Sequence, residues 1–379
     1  MAHRRHRRAP GGHLEIESLP ALDTALSSGR TLRGVRIQGL DLTAYEQRLM
    51  ARTDVEGLVV LGGELSERLD DHLRRHHALV FPTDPHAPID PYRSSLYQPH
   101  ELYHGLREHG YDATPDARAY HWALDGVLQR DAFVTLLRAI HDDSITDALT
   151  EFIGDAPVVG VMGGHAVPRG TQEYAAAARL GHRLASAGLL VATGGGPGAM
   201  EAANLGALAP SDEALEPAIG RLAAVPGFRP DVRRWAEIAL DAYEDLMEEP
   251  VDQPSAHGRV RSVGIPTWFY GHEPPNVFCN GIGKYFSNAI REDGLLSRCT
   301  AGLVVLKGAA GTVQEIFQAA TRLYYADDHV LPRIVLVDRQ HWTEALPVWR
   351  ALRSLGAGRA LGQSIHLVDT VDEAAELCS

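Results

Sequence analysis

Near the C-terminal end of the chain, an apolar run from Ala301 to Leu306 gives way to Lys307-Gly308-Ala309-Ala310-Gly311-Thr312-Val313-Gln314-Glu315. The pattern reads as strand, small-residue turn, helix. Small residues let a ligand approach the backbone closely, and the first amides of a helix have no intrahelical acceptor, so they face an arriving anion. Gly308, Ala309, Ala310, Gly311 and Thr312 therefore form a candidate phosphate cradle. Glu315 follows one helical turn inside it, within reach of the sugar of a nucleotide whose phosphate the amides hold. An anion site beside an acid suggests chemistry on a phosphorylated sugar.

Two more turns of this kind lie upstream. Leu189 to Ala192 runs through Thr193 into Gly194-Gly195-Gly196-Pro197-Gly198-Ala199-Met200, and Val158 to Met162 turns at Gly163-Gly164-His165. Each apolar run has strand length, and helical spacing follows each, over Tyr174 to Leu184, Met200 to Ala207 and Val313 to Leu323. Three such units predict an α/β fold: a Rossmann-like, doubly wound parallel sheet with helices on both faces. Ligands of such sheets bind at the carboxyl ends of the strands. Gly163, Gly164, His165, Gly194, Gly195, Gly196, Gly198 and Met200 thus join the candidate binding set. None of the turns has the spacing of the dinucleotide fingerprint or of the P-loop.

At these residues the sequence resembles the LONELY GUY family of nucleoside 5′-monophosphate phosphoribohydrolases, long mislabelled lysine decarboxylases. The resemblance is carried by Gly194-Gly195-Gly196-x-Gly198-x-Met200, by Arg291 and by Gly308-x-x-Gly311-Thr312-x-x-Glu315. The text Trp268-Phe269-Tyr270-Gly271-His272-Glu273-Pro274-Pro275-Asn276, and that from Lys284 to Gly294, is closer to the bacterial branch of larger pyrimidine/purine nucleotide 5′-monophosphate nucleosidases. The likeness spans about Pro157 to Asp338. In the family's PGGxGTxxE motif, Lys307 stands for the proline and Ala309 for the second glycine. In its MxxRK motif, Asn288 to Glu292, the arginine is kept and the lysine is replaced by an acid. The resemblance implies Arg291 and Glu315 as the catalytic pair, release of free base and ribose 5-phosphate without metal or organic cofactor, and a homo-oligomer.

Hydrolysis of an N-glycosidic bond passes through a cationic sugar, so a nearby carboxylate can stabilise it or activate water. Glu315 suits that role. Arg291 can hold the phosphate, bind a ribose hydroxyl or steady the departing base. A glycosidase of the usual kind needs a second carboxylate; Glu292, Asp293 and Glu201 are candidates, but surface charge on helix ends is the favoured reading of all three. An alternative from another class is a nucleotide-binding regulator that cuts no bond.

The chain has 379 residues, 45% of them hydrophobic, enough for two domains with sizeable cores. Its formal net charge, 36 − 49 = −13, argues against an extended nucleic-acid surface. Lys284 and Lys307 are its only lysines, which disfavours pyridoxal-phosphate chemistry. Cys279, Cys299 and Cys378 show neither disulfide nor zinc spacing, as suits a reducing cytoplasm. The opening Met1 to Arg8 is basic but no apolar segment follows, so it reads as a tail and not a secretory signal, and no run is long enough to span a membrane.

The expected organisation is a disordered basic tail (1–13), an N-terminal α/β domain (14–115), a helical bridge (116–156) and a catalytic Rossmann-like domain (157–379) with a helical insertion at 209–261 that can serve as lid or oligomer contact. Gly62-Gly63 reads as an anion site or an ordinary turn. His72 and His76 have i,i+4 spacing but lack the acid of a zincin motif, so a solvated face competes with a metal site. His165 and His272 sit in presumed ligand loops, and Trp268, Phe269 and Tyr270 can stack a base or be buried at a strand end.

Overall fold

The computed structural model describes residues 14–81, 83–248, 261–269, 273–326 and 331–378. Two compact units divide the chain, one from Met1–Ser95 and Ala132–Ala148, the other from Leu96–Asp131 and Leu149–Ser379. These limits differ from the expected 14–115, 116–156 and 157–379. The segment from Leu96 to Asp131 packs with the C-terminal unit, because Asp116 pairs there with Lys284 at 2.6 Å and the Tyr103 hydroxyl donates to the Pro275 carbonyl at 2.5 Å. The helical bridge expected over 116–156 contains two helices, Pro115–Leu124 and Ala132–Ile153, and the residues of the second are divided between the two units.

The first unit holds a four-stranded parallel sheet in the order β1 (Glu15–Ile16), β2 (Arg36–Gln38), β3 (Val59–Leu61), β4 (Leu79–Phe81). Its core gathers Ile16, Leu22, Leu32, Ile37, Leu49, Val60, Leu69 and Leu73, all fully buried. Gly62 and Gly63 have positive φ and are closed in by the Tyr92 ring and the Leu40 carbonyl, so this turn is a packing device. His72 donates through Nε2 to the Arg52 carbonyl at 2.8 Å, which fixes it as a core histidine.

The second unit is built on seven parallel strands: β5 (Val158–Met162), β6 (Leu190–Thr193), β7 (Ser262–Gly264), β8 (Gly281–Ile282), β9 (Gly302–Val305), β10 (Arg333–Val337) and β11 (Ile365–Val368). Their order is β11-β10-β9-β5-β6-β7-β8. The strands read as continuous apolar runs because helices cover both faces, and β5, β6 and β9 are buried throughout. The chain moves outward from β5 through β8, then returns to lay β9 on the other side of β5. That reversal is a topological switch point of a Rossmann-like fold, and the crevice it leaves lies at the ends of β5 and β9. Register keeps those ends level, with Met162 opposite Val305.

The helices that open at the first two turns, Gln172–Ser186 and Ala199–Leu208, are pressed together through glycine. A Cβ on Gly181 would lie 2.0 Å from the Ala203 carbonyl oxygen, and one on Gly206 only 1.7 Å from that of Ala178. Backbone meets backbone there, so the turns leading into both helices hold a fixed spacing. The insertion, expected to be helical, contains the helices Asp212–Leu222 and Val232–Glu248. They are anchored by the buried Arg169, which bonds the Val225 and Trp235 carbonyls and stacks on the Trp235 ring.

Candidate active site

A cleft of about 1320 Å³ opens at the carboxyl ends of the strands of the second unit. It is lined by the turn after β5 (Gly163, Gly164, His165), the turn after β6 (Gly194, Gly196, Ala199, Met200) and the turn after β9 (Lys307 to Thr312), with Arg291, Glu292 and Glu315. The turns are joined to one another: the Gly164 amide donates to the Lys307 carbonyl at 2.9 Å, and the Ala199 amide donates to the Gly164 carbonyl at 3.1 Å.

The helix Ala310–Tyr324 starts at the β9 turn with no side chain capping it, so its first amides face the cleft. A Cβ on Gly308 would fall 2.1 Å from the Thr312 hydroxyl, whereas one on Gly311 would meet nothing within 4 Å. Gly308 thus seats Thr312, and Gly311 leaves open space where an anion would sit. The helix at Gly198 offers less, since its first amide is already spent on Gly164.

Glu315 lies one turn deeper in that helix, and its Oε1 is 3.6 Å from Arg291 Nη1. Its carboxyl stands raised to about 6, the net of burial pushing it up, Arg291 pulling it back and the charge of Glu292 pushing it up further. Arg291 stands on the helix Asn288–Arg298, which Ser287 caps. Its Nε donates to the Ile265 carbonyl at 2.7 Å and its Nη2 to the Gly194 carbonyl at 3.3 Å. A Cβ on Gly194 would collide with Nη2 at 2.3 Å, so the glycine is what lets the guanidinium reach the strand end. The fork is thereby fixed between the ends of β6 and β7 and the Glu315 helix.

Glu292 also faces the cleft, held by Asn288 Nδ2 and Gln314 Nε2, each at 2.7 Å. His165 Nδ1 lies 3.2 Å from Oε1 of Glu273. Burial raises the Glu273 carboxyl, against the pull of His165, Arg291, Lys284 and Arg229. Lys307 is drawn aside to Asp338 at 3.0 Å, with Glu173 at 4.0 Å. Asp338 has φ of +79°; burial pushes its carboxyl up, but the His341 amide and Lys307 outweigh that and hold it low.

Most of the residues singled out from the sequence come together in this cleft. Gly195 and Gly198 do not line it. Gly195 turns at φ +70°, donating to the Thr193 hydroxyl and accepting from the Asn276 amide, and Gly198 packs on the carbonyls of Gly164 and His165. Of the three candidate second carboxylates, only Glu292 reaches the cleft. Glu201 is neither surface charge nor site residue: it is fully buried and binds Arg169 at 2.5 Å and the Tyr174 hydroxyl at 3.1 Å. Asp293 is exposed beside Arg322. Trp268 is buried against Phe286 and Tyr97 and donates to Asp116, so it braces the fold and stacks no ligand. Phe269 is exposed outside the cleft; Tyr270 and His272 lie outside the described residues. The described part of the insertion contributes nothing to the cleft lining, which leaves its helices without a lid position.

Sequence reasoning missed Glu273 and Asp338 as site residues. Asp338 follows β10 directly, so the rule that sites form at carboxyl ends of parallel strands could have found it. Glu273 sits in irregular backbone, and no spacing pointed to it.

Residues 156–213 match the family model LDcluster4, described as the SLOG cluster4 family. The match covers the β5 and β6 turns, agrees with the family resemblance read from the motifs, and stops short of Arg291 and Glu315. No curated protein matches the chain. Among solved structures, the X-ray structure of TM1055, a structural genomics target, is 19% identical over 58% of this chain and 97% of its own, with a TM-score of 0.34. No helix among the described residues is long and apolar enough to cross a membrane.

Proposed function

We propose that the cleft hydrolyses the N-glycosidic bond of nucleoside 5′-monophosphates, releasing free base and ribose 5-phosphate. One observation carries this reading: an ionisable carboxyl raised to about 6 and paired with a fixed arginine stands one turn inside a helix whose uncapped N-terminus opens on the same cleft. The amides of that terminus suit a 5′-phosphate. The sugar then lies beside Glu315, which is ionised above about pH 6 and can stabilise the cationic sugar or take the proton of the attacking water. Arg291 holds that carboxylate in place and offers a donor to a ribose hydroxyl. An anion sensor would gain nothing from a buried acid beside the phosphate, since the two charges repel.

The test is incubation with a panel of purine and pyrimidine nucleoside monophosphates, with chromatography for released base, for the native protein and Glu315→Gln. The expected result is release by the native chain that falls by about 100-fold or more in the variant. Binding of nucleotide with no release from any member of the panel would instead favour the regulator.

A further inference from the structure

A carboxylate beside the sugar attends to half of this reaction. When the N-glycosidic bond breaks, its electron pair stays on the base, and a purine or pyrimidine anion leaves slowly unless a proton reaches it. Glu315 and Glu292 flank the end of the cleft next to the β9 turn, and both Glu292 oxygens are already occupied by Asn288 and Gln314. A different pair stands where the β5 and β6 turns line the cleft. His165 is in the turn after β5, and Glu273 lies against the turn after β6, where a Cβ on Gly196 would come within 3.1 Å of Glu273 Oε2. Arg291 bridges the interval, touching Glu315 with one nitrogen and the Gly194 carbonyl with another. A nucleotide with its phosphate on the β9 amides and its sugar at Glu315 therefore extends its base toward the β5 and β6 turns. His165 stands in the β5 turn, Glu273 and Arg291 lie against the β6 turn, and arginine does not release its proton.

We propose that the His165–Glu273 pair is the proton donor to the departing base, with Glu315 serving the sugar. This rests on the hydrolase reading above. The 3.2 Å contact between His165 Nδ1 and Glu273 Oε1 lets the pair hold one proton between them and leaves Nε2 of the imidazole for the ligand. In the step, the bond from C1′ to the base nitrogen breaks, its electrons pass to the base, and the base takes the proton held by the pair. Water adds its oxygen to C1′ and gives a proton to Glu315, and solvent carries that proton back to the pair, so nucleotide and water balance base and ribose 5-phosphate. Charged groups facing Glu273 from the surrounding elements are His165, Arg291, Lys284 and Arg229; those facing Glu315 are Arg291 and Glu292.

The test compares a natural nucleoside monophosphate with 4-nitrophenyl β-D-ribofuranoside 5-phosphate, whose phenolate departs without a proton. His165→Ala and Glu273→Gln are each expected to lower kcat on the nucleotide by about 100-fold while changing phenolate release by less than about threefold. Glu315→Gln slows both substrates. The alkaline limb of the nucleotide kcat/KM profile, where the donor has lost its proton, should vanish in His165→Ala; His165 is 57% exposed, so this variant keeps the fold. Equal losses on both substrates, or an alkaline limb that persists in His165→Ala, would overturn the proposal. A native protein that releases base from no nucleotide overturns the hydrolase reading itself, so the two failures are distinguishable.

Discussion

Glu315 gives up stability where it stands, buried in the cleft. Its folded pKa of about 6 stands above the ordinary 4.5, so the folded state binds more protons between those values and stability falls as pH rises through that window. Above it the shift of 6 − 4.5 amounts to about 2 kcal/mol, and Glu315→Gln is expected to be about 2 kcal/mol more stable than the native chain at pH 7.5 while losing base release. Denaturant unfolding at pH 7.5 and at pH 4.5 checks this, since the difference should shrink to about 0.4 kcal/mol at the lower pH. The neighbours set the position of the acid limb with opposite signs. Arg291 lowers the Glu315 carboxyl and Glu292 raises it, so Arg291→Gln should move the acid limb of the rate profile to higher pH and Glu292→Gln to lower pH. Shifts in the same direction for both variants would show that Glu315 is not the group being titrated.

At the scale of elements, the three turns divide their work in a way that composition alone conceals. The turns after β5, β6 and β9 were each legible as a glycine-rich break between an apolar run and a helical stretch, and the helices Gln172–Ser186, Ala199–Leu208 and Ala310–Tyr324 lie where that pattern puts them. What each glycine does was not legible. Gly194 admits Arg291, Gly308 admits Thr312, Gly195 and Gly198 supply positive φ, and only Gly311 faces open space. Gly311→Ala is therefore expected to leave the melting temperature within a degree or two while raising KM for nucleotide, as a surface change within about 0.5 kcal/mol should. Gly194→Ala should instead cut kcat by displacing Arg291. Similar effects of the two substitutions on KM and on kcat would contradict that division. Short strands escaped the sequence for a related reason: β7 and β8, three and two residues long, have no room for a periodic pattern, and their burial comes from neighbours distant in the chain.

At the scale of the molecule, the parallel βα order predicted the doubly wound sheet, because each apolar run was long enough to be buried on both faces. The limits of the units were hidden, since they follow contacts remote in sequence, among them a pair 168 residues apart. Lys284 is buried and in contact with Asp116, which also accepts from Trp268 Nε1 and the Tyr111 hydroxyl. Burial holds the Lys284 ammonium below its ordinary range and Asp116 opposes that shift, so removing the acid leaves a buried lysine with no compensating charge. Asp116→Ala should cost about 3–5 kcal/mol in urea unfolding, and Asp116→Leu with Lys284→Met should recover much of it. For the same reason, a fragment beginning at residue 157 should not fold, and one that does would place the boundary where the sequence put it. The central claim concerns where a nucleotide lies in the cleft. Its most direct test is a crystal structure of Glu315→Gln with a nucleoside 5′-monophosphate bound. The account requires the phosphate on the amides of Ala310 to Thr312 with C1′ beside residue 315, and a phosphate held elsewhere, or an anomeric carbon turned away from that side chain, would contradict it.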